Sequence, residues 1–193
     1  MSYFVSEKFP NGVSLIHIPK TGGSTLVELF KDRQGYFNIG HRSAYMIMKG
    51  IDKPPNSPQN YSELFNKSHK ISVVRNPYER IRSWFYFMKK YEAFIHKYVK
   101  NGFHQFLLDI DAGLNPEVAA WTQTKYLYVN EKLAVDQIIS FEKLKEEFEK
   151  TFEEELIGHK WKTNSANYEI EEKSKELIRK IYKEDFVNFK YEE

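Results

Sequence analysis

The chain contains no cysteine in 193 residues. That absence removes disulfides, thiolate metal sites and cysteine nucleophiles together. Long apolar runs are missing too, and nothing approaches the ~20 residues that a membrane-crossing helix needs. No integral membrane segment is therefore expected. Glu7, Lys8 and Pro10 stand before any sustained apolar run, unlike a secretory leader, so a soluble, cytoplasmic protein is the expectation. An excess of one charge is absent: 29 Lys and Arg face 27 Asp and Glu, for a net charge of +2. Without a polybasic tail, nucleic acid is not an expected partner. There is no internal repeat and no low-complexity segment. What is present, 41% hydrophobic and 16% aromatic residues, is enough to close one core, and a single domain over residues 1–193 is expected.

One stretch organises the rest. Residues 14–30 run from an apolar segment (Ser14-Leu15-Ile16-His17-Ile18) through Pro19 and Lys20-Thr21-Gly22-Gly23-Ser24-Thr25 into Leu26, Val27, Leu29 and Phe30 at helical spacing. The pattern predicts a buried strand, a tight loop and a helix start. Gly22 and Gly23 let backbone approach a ligand closely. The N–H groups at the helix start seat an anion, Lys20 adds a positive charge, and Thr21, Ser24 and Thr25 add hydroxyls. This is the chemistry of a phosphate cradle. It is not the nucleotide motif G-x-x-x-x-G-K-[ST], because Lys20 precedes the glycine pair here. A Gly-Gly turn capped by Ser24, with Lys20 in solvent, is the plain structural alternative.

A second stretch has the same build. Ile71–Val74 reads as a short buried strand, followed by Arg75 and by Asn76-Pro77, a helix start with a capping Asn and Pro at the first helical position. Apolar residues from Ile81 to Val99 recur near helical spacing, which predicts a long helix with a break near Lys90. Arg75 offers a planar fork for a phosphate, and Ser83 is a donor two turns into the helix. An ordinary ion pair with Glu79 is the alternative for Arg75. Ligands of open α/β sheets collect beyond the carboxyl ends of strands, which is where both stretches carry their polar residues. Two phosphate seats imply a ligand with phosphate at both ends.

Between and after these, residues 52–60 read as an exposed loop, 103–110 and 116–124 as short helices, and 136–140 as a third strand. Ser140 is expected to cap a helix with Phe141, Leu144, Phe148 and Phe152 on its apolar face. A polar loop at 158–168 precedes a last helix from about Glu171. The alternation predicts a three-layer, P-loop-like α/β fold, with a small central parallel sheet flanked by helices.

The Pro-Lys-Thr-Gly-Gly-Ser-Thr stretch resembles the 5′-phosphosulfate loop of the sulfotransferases, and Arg75-Asn76-Pro77 with Ser83 resembles their 3′-phosphate site. The version here is most similar to the carbohydrate sulfotransferases, the group with the heparan sulfate 2-O and 6-O enzymes. Weaker echoes lie at 123–127, 139–144 and 181–186, so the likeness runs over nearly the whole chain. It implies 3′-phosphoadenosine 5′-phosphosulfate (PAPS) as sulfuryl donor, adenosine 3′,5′-bisphosphate as product, and no required metal. Lys20, Thr21, Gly22, Gly23, Ser24, Thr25, Arg75 and Ser83 would hold the nucleotide. The 158–168 loop, with Asn164 and Ser165, would close over it.

Transfer to a hydroxyl calls for a base near neutral pH, most often histidine. Of six histidines, His41 in Gly40-His41-Arg42-Ser43 is the candidate, because the 6-O type enzymes resemble it there with a histidine base. His17 falls within the first strand and reads as a packed or hydrogen-bonded core residue. Lys20 would stabilise the leaving group, and Arg42 and Gln123 are candidate acceptor contacts. An anchor and stem like those of the animal enzymes are not expected here, and the cysteines are missing. A glycan, glycolipid or small hydroxylated metabolite is therefore the expected acceptor. Two other classes stay open: an ATP-dependent kinase-like enzyme, and an inactive nucleotide- or glycan-binding module.

Overall fold

Period-two alternation sets the sheet. The computed structural model describes residues 1–192 except Lys53, Asn56, Pro116 and 157–168. Its strands are β1 (Ser2–Phe4), β2 (Val13–Ile16), β3 (Phe37–Asn38), β4 (His69–Val74), β5 (Tyr128–Val129), β6 (Lys132–Leu133) and β7 (Gln137–Ser140). Its helices are α1 (Gly23–Phe30), α2 (Ala44–Lys49), α3 (Tyr61–Lys67), α4 (Pro77–Met88), α5 (Glu92–Phe94), α6 (Phe103–Asp111), α7 (Gln123–Leu127), α8 (Leu144–Phe152), α9 (Glu172–Ile181) and α10 (Lys183–Phe189). A π-helical turn at Ile95–Val99 follows α5, and 3₁₀ turns lie at Val118–Ala120 and Phe141–Lys143. No described helix is long and apolar enough to cross a membrane.

The chain divides into two compact units. One comprises Met1–Val74 with the stretch from Lys125 through α8; the other comprises Arg75–Thr124 with α9 and α10. In the first, the sheet order is β3-β1-β2-β4-β7. The predicted parallel strands pair in register, Leu15 beside Ile71 and Val73 beside Ile139. Antiparallel β1 and β3 extend one edge, Ser2 facing Leu15 and Asn38 facing Ser2. Val13 and Leu15 share a face with Ile71, Val73 and Ile139, and there they bury against Leu26 and Phe30 of α1 and Phe148 and Phe152 of α8. The alternate residues turn the other way. Ser68 donates to the buried Ser14 hydroxyl at 2.7 Å, and Ser72 donates to the Ile16 carbonyl at 2.8 Å.

The cap expected at Ser140 does not form. Its hydroxyl donates to the Glu142 carboxylate at 2.7 Å and its N–H to Glu147 at 2.8 Å. The hydroxyl is turned to this charged acceptor, and its oxygen accepts no backbone N–H from the helix start.

The second unit is helical. Ile81, Trp84, Phe85 and Met88 of α4 pack with Phe103, Phe106 and Leu107 of α6 and with Ile178, Tyr182 and Phe186. Asn76 caps α4 as predicted, its side-chain oxygen accepting from the Tyr78 N–H at 2.9 Å, with Pro77 opening the helix. The helix stops at Met88, close to the predicted break.

Candidate active site

Within the sheet unit, β2 ends at Ile16, and His17, Ile18 and Pro19 lead into the loop. Lys20 takes the left-handed conformation at φ 69°, a non-glycine residue held where L side chains are strained. Thr21 is buried, and its hydroxyl donates to the Ile18 carbonyl at 3.0 Å, which closes the loop on itself. That hydroxyl therefore holds the loop's shape. Gly22 is left-handed as well, at φ 85°, and a Cβ there would come 2.6 Å from the Phe141 ring. A Cβ on Gly23 would lie 2.5 Å from Cδ2 of His17. Both glycines are thus required by contacts beneath the loop.

Gly22 also occupies the position before α1, so no side chain caps that helix, and its first turn carries no acid. Ser24 stands exposed and Thr25 is half-buried. An uncapped helix start behind a lysine, free of negative charge, fits a phosphosulfate group.

The polypeptide after β3 brings a base candidate to the same place. Gly40 turns at φ 72°, with its N–H on the Asn38 side chain at 2.7 Å. His41 then reaches back across the sequence, and its Nδ1 lies 2.8 Å from the His17 carbonyl. A carbonyl only accepts, so Nδ1 carries the proton and Nε2 of the neutral ring keeps its lone pair. Burial lowers the His41 pKa; the bond to the His17 carbonyl partly offsets this. His17, 8% exposed, is pushed well below the ordinary histidine value, by burial first and by His41 second. The two rings lie 4.3 Å apart between centroids. His17 therefore packs on Gly23 with its ring and aims His41 with its carbonyl. The sequence reading left His17 in the core and missed this second task.

Arg42 is turned to a neighbour: its Nε donates to the Asp52 carbonyl at 3.1 Å and its guanidinium pairs with the Asp52 carboxylate at 3.0 Å.

In the helical unit, Arg75 has a side chain 14% exposed and forms an ion pair with Glu79 at 3.7 Å. Glu79 also takes Arg82 at 2.7 Å. Ser83 is buried on α4. Gln123 is fully buried, with both ends of its amide on the backbone of Arg75. Asn164 and Ser165 lie outside the described residues, as does the rest of the loop predicted at 158–168. Among the described residues, no cluster of histidine and carboxylate side chains could hold a metal ion.

Comparison with protein families agrees with the motifs: the model described as "Sulfotransferase family" matches residues 2–192. The chain belongs to the sulfotransferase family. The family supports sulfuryl transfer in general terms. No curated protein and no solved structure matches the chain.

Proposed function

We propose that this sulfotransferase moves the sulfuryl group of PAPS to a hydroxyl on a carbohydrate or glycoconjugate. The observation that carries the reading is the His41 ring, neutral and fixed by its Nδ1–H on His17, with Nε2 left to accept a proton. PAPS supplies an activated sulfuryl group whose leaving group is adenosine 3′,5′-bisphosphate. The acceptor hydroxyl gives its proton to Nε2 of His41 while its oxygen bonds to sulfur. The bond from sulfur to the 5′-phosphate oxygen breaks, and its electron pair leaves with that oxygen.

Negative charge grows on the leaving phosphate, and Lys20 with the N–H groups at the start of α1 is suited to stabilise it. Lys20 thereby supplies positive charge where phosphoryl-transfer enzymes use Mg²⁺. Arg75 and Ser83 are assigned the 3′-phosphate. Asn164 and Ser165 are assigned the nucleotide, from the family likeness alone. Arg42, tied to Asp52, would reach an acceptor only by giving up that pair.

The test is transfer from sulfur-radiolabelled PAPS to a panel of hydroxylated glycans, glycolipids and small alcohols. The native protein is expected to label at least one class. His41→Gln, which keeps a donor for the His17 carbonyl, is expected to lose ~10²–10⁴-fold in turnover while still binding the bisphosphate. A native protein that neither transfers sulfate nor hydrolyses the donor refutes the proposal. Phosphate transfer from ATP in its place would establish the kinase-like reading.

A further inference from the structure

Gln123 has no exposed surface, and its side chain is devoted to one neighbour. Its Oε1 accepts from the Arg75 N–H and its Nε2 donates to the Arg75 carbonyl, both at 2.8 Å. This is the paired exchange that a residue on an adjoining antiparallel strand would make. It holds Arg75 as though strand pairing continued beyond Val74. A side-chain amide is a loose substitute for a strand unless its own backbone is fixed, and here that backbone is fixed.

Asp185 of α10, fully buried, accepts from the N–H groups of Gln123 and Thr124, each at 2.8 Å, and from the Thr124 hydroxyl at 2.9 Å. Those N–H groups are the first two of α7, which Asp185 therefore caps from a helix some sixty residues away in sequence. The segment leading into α7 is held as well. Arg80, 1% exposed, donates to the carbonyls of Ala119 and Trp121, and the Tyr182 hydroxyl donates to Ala120 at 2.9 Å. A buried carboxylate and a buried guanidinium are costly without hydrogen bonds, and the bonds that Asp185 and the two terminal nitrogens of Arg80 make converge on the short segment that carries Gln123.

Gln123 has no exposed surface and turns its amide to the Arg75 backbone, so it is not presented to an acceptor sugar. We propose instead that Gln123 is a positioning residue: its clamp on the Arg75 backbone, anchored by Asp185, aims the Arg75 guanidinium at the 3′-phosphate of the nucleotide. The inference rests on the assignment of Arg75 to that phosphate. An arginine head on a freely moving backbone loses bidentate geometry, and small misplacements of such groups are costly.

The test separates the clamp from a general structural role. Gln123→Met keeps the volume and removes both bonds; Gln123→Glu keeps the acceptor and loses the donor. Calorimetry measures affinity for adenosine 3′,5′-bisphosphate and for adenosine 5′-monophosphate, whose ratio isolates the 3′-phosphate. Gln123→Met is expected to lower the ratio about tenfold with the monophosphate unchanged. Gln123→Glu lowers it less, and decides the matter if the Met variant fails to fold. In an Arg75→Ala background neither substitution changes the ratio, because the clamp has nothing to aim. An unchanged ratio in the folded Gln123 variants, or an equal loss for both nucleotides, overturns the clamp. A native protein with no preference for the bisphosphate overturns the Arg75 assignment itself, and the inference falls with it.

Discussion

Gly23→Ala probes the joint between the loop and the candidate base. Helix propensity alone says that alanine at the first residue of α1 stabilises by up to about 1 kcal/mol. The structure reverses that sign. The new Cβ would sit 2.5 Å from Cδ2 and 3.0 Å from Nε2 of His17, where carbon atoms ordinarily stay ~3.5 Å or more apart. His17 cannot swing into solvent, because it is 8% exposed and backed by the His41 ring at 4.3 Å. Forcing a methyl group into a packed site costs about 1–3 kcal/mol, which exceeds the propensity gain. A net loss of about 1–2 kcal/mol is expected. The displaced ring also draws His41 off the His17 carbonyl, so turnover falls with stability. Urea unfolding near neutral pH of the native protein, Gly23→Ala, His17→Ala and the double variant measures the coupling. Without the imidazole, Gly23→Ala should be neutral or stabilising. If it stabilises the native protein, or costs the same with and without His17, the packing argument is wrong.

Two further outcomes follow from the same unit. Lys20 is left-handed at φ 69°, so Lys20→Gly removes the charge while relieving the backbone. Thermal unfolding should show unchanged stability or a gain of up to about 1 kcal/mol, while transfer drops ~10²–10³-fold. A stability loss instead would make Lys20 a structural residue. His17 and His41 both have folded-state pKa values below the ordinary 6.5, so the unfolded chain binds more protons as pH falls through that value. Their stabilising contribution is full above about pH 6.5 and drains as pH drops toward the folded values. Urea unfolding from pH 8 to pH 5 should show this acid-side loss, and His17→Gln should flatten it.

The parts of the site read directly from sequence are those whose chemistry is local. Gly22 at a left-handed turn and Asn76-Pro77 opening a helix each announce a backbone conformation through one or two residue types, whereas the strand expected to run up to Pro19 stops at Ile16. The parallel strands β2, β4 and β7 were visible for the same reason, as short apolar runs bounded by turn and cap residues. β1 was not, because Ser2–Phe4 is three residues long and shows no period; only its register against Leu15, Ser14 and Val13 makes it a strand. α3 was also missed, since Tyr61–Lys67 offers two buried residues, Tyr61 and Phe65, behind a loop rich in turn formers.

Residues that position others leave even less trace. His17 and His41 are 24 residues apart, and the bond between them uses a backbone carbonyl, which every residue type possesses. Gln123 finds Arg75 across 48 residues, again through backbone atoms, and Asp185 finds Gln123 across 62. A partner that recognises peptide groups places no demand on the type of residue it recognises, so no pair of letters encodes the contact. Only burial distinguishes it: a glutamine and an aspartate with no exposed surface must have partners. The groups assigned to the nucleotide were chosen from local residue types, whereas the groups proposed to aim them become visible only once the fold shows which polar atoms are out of water.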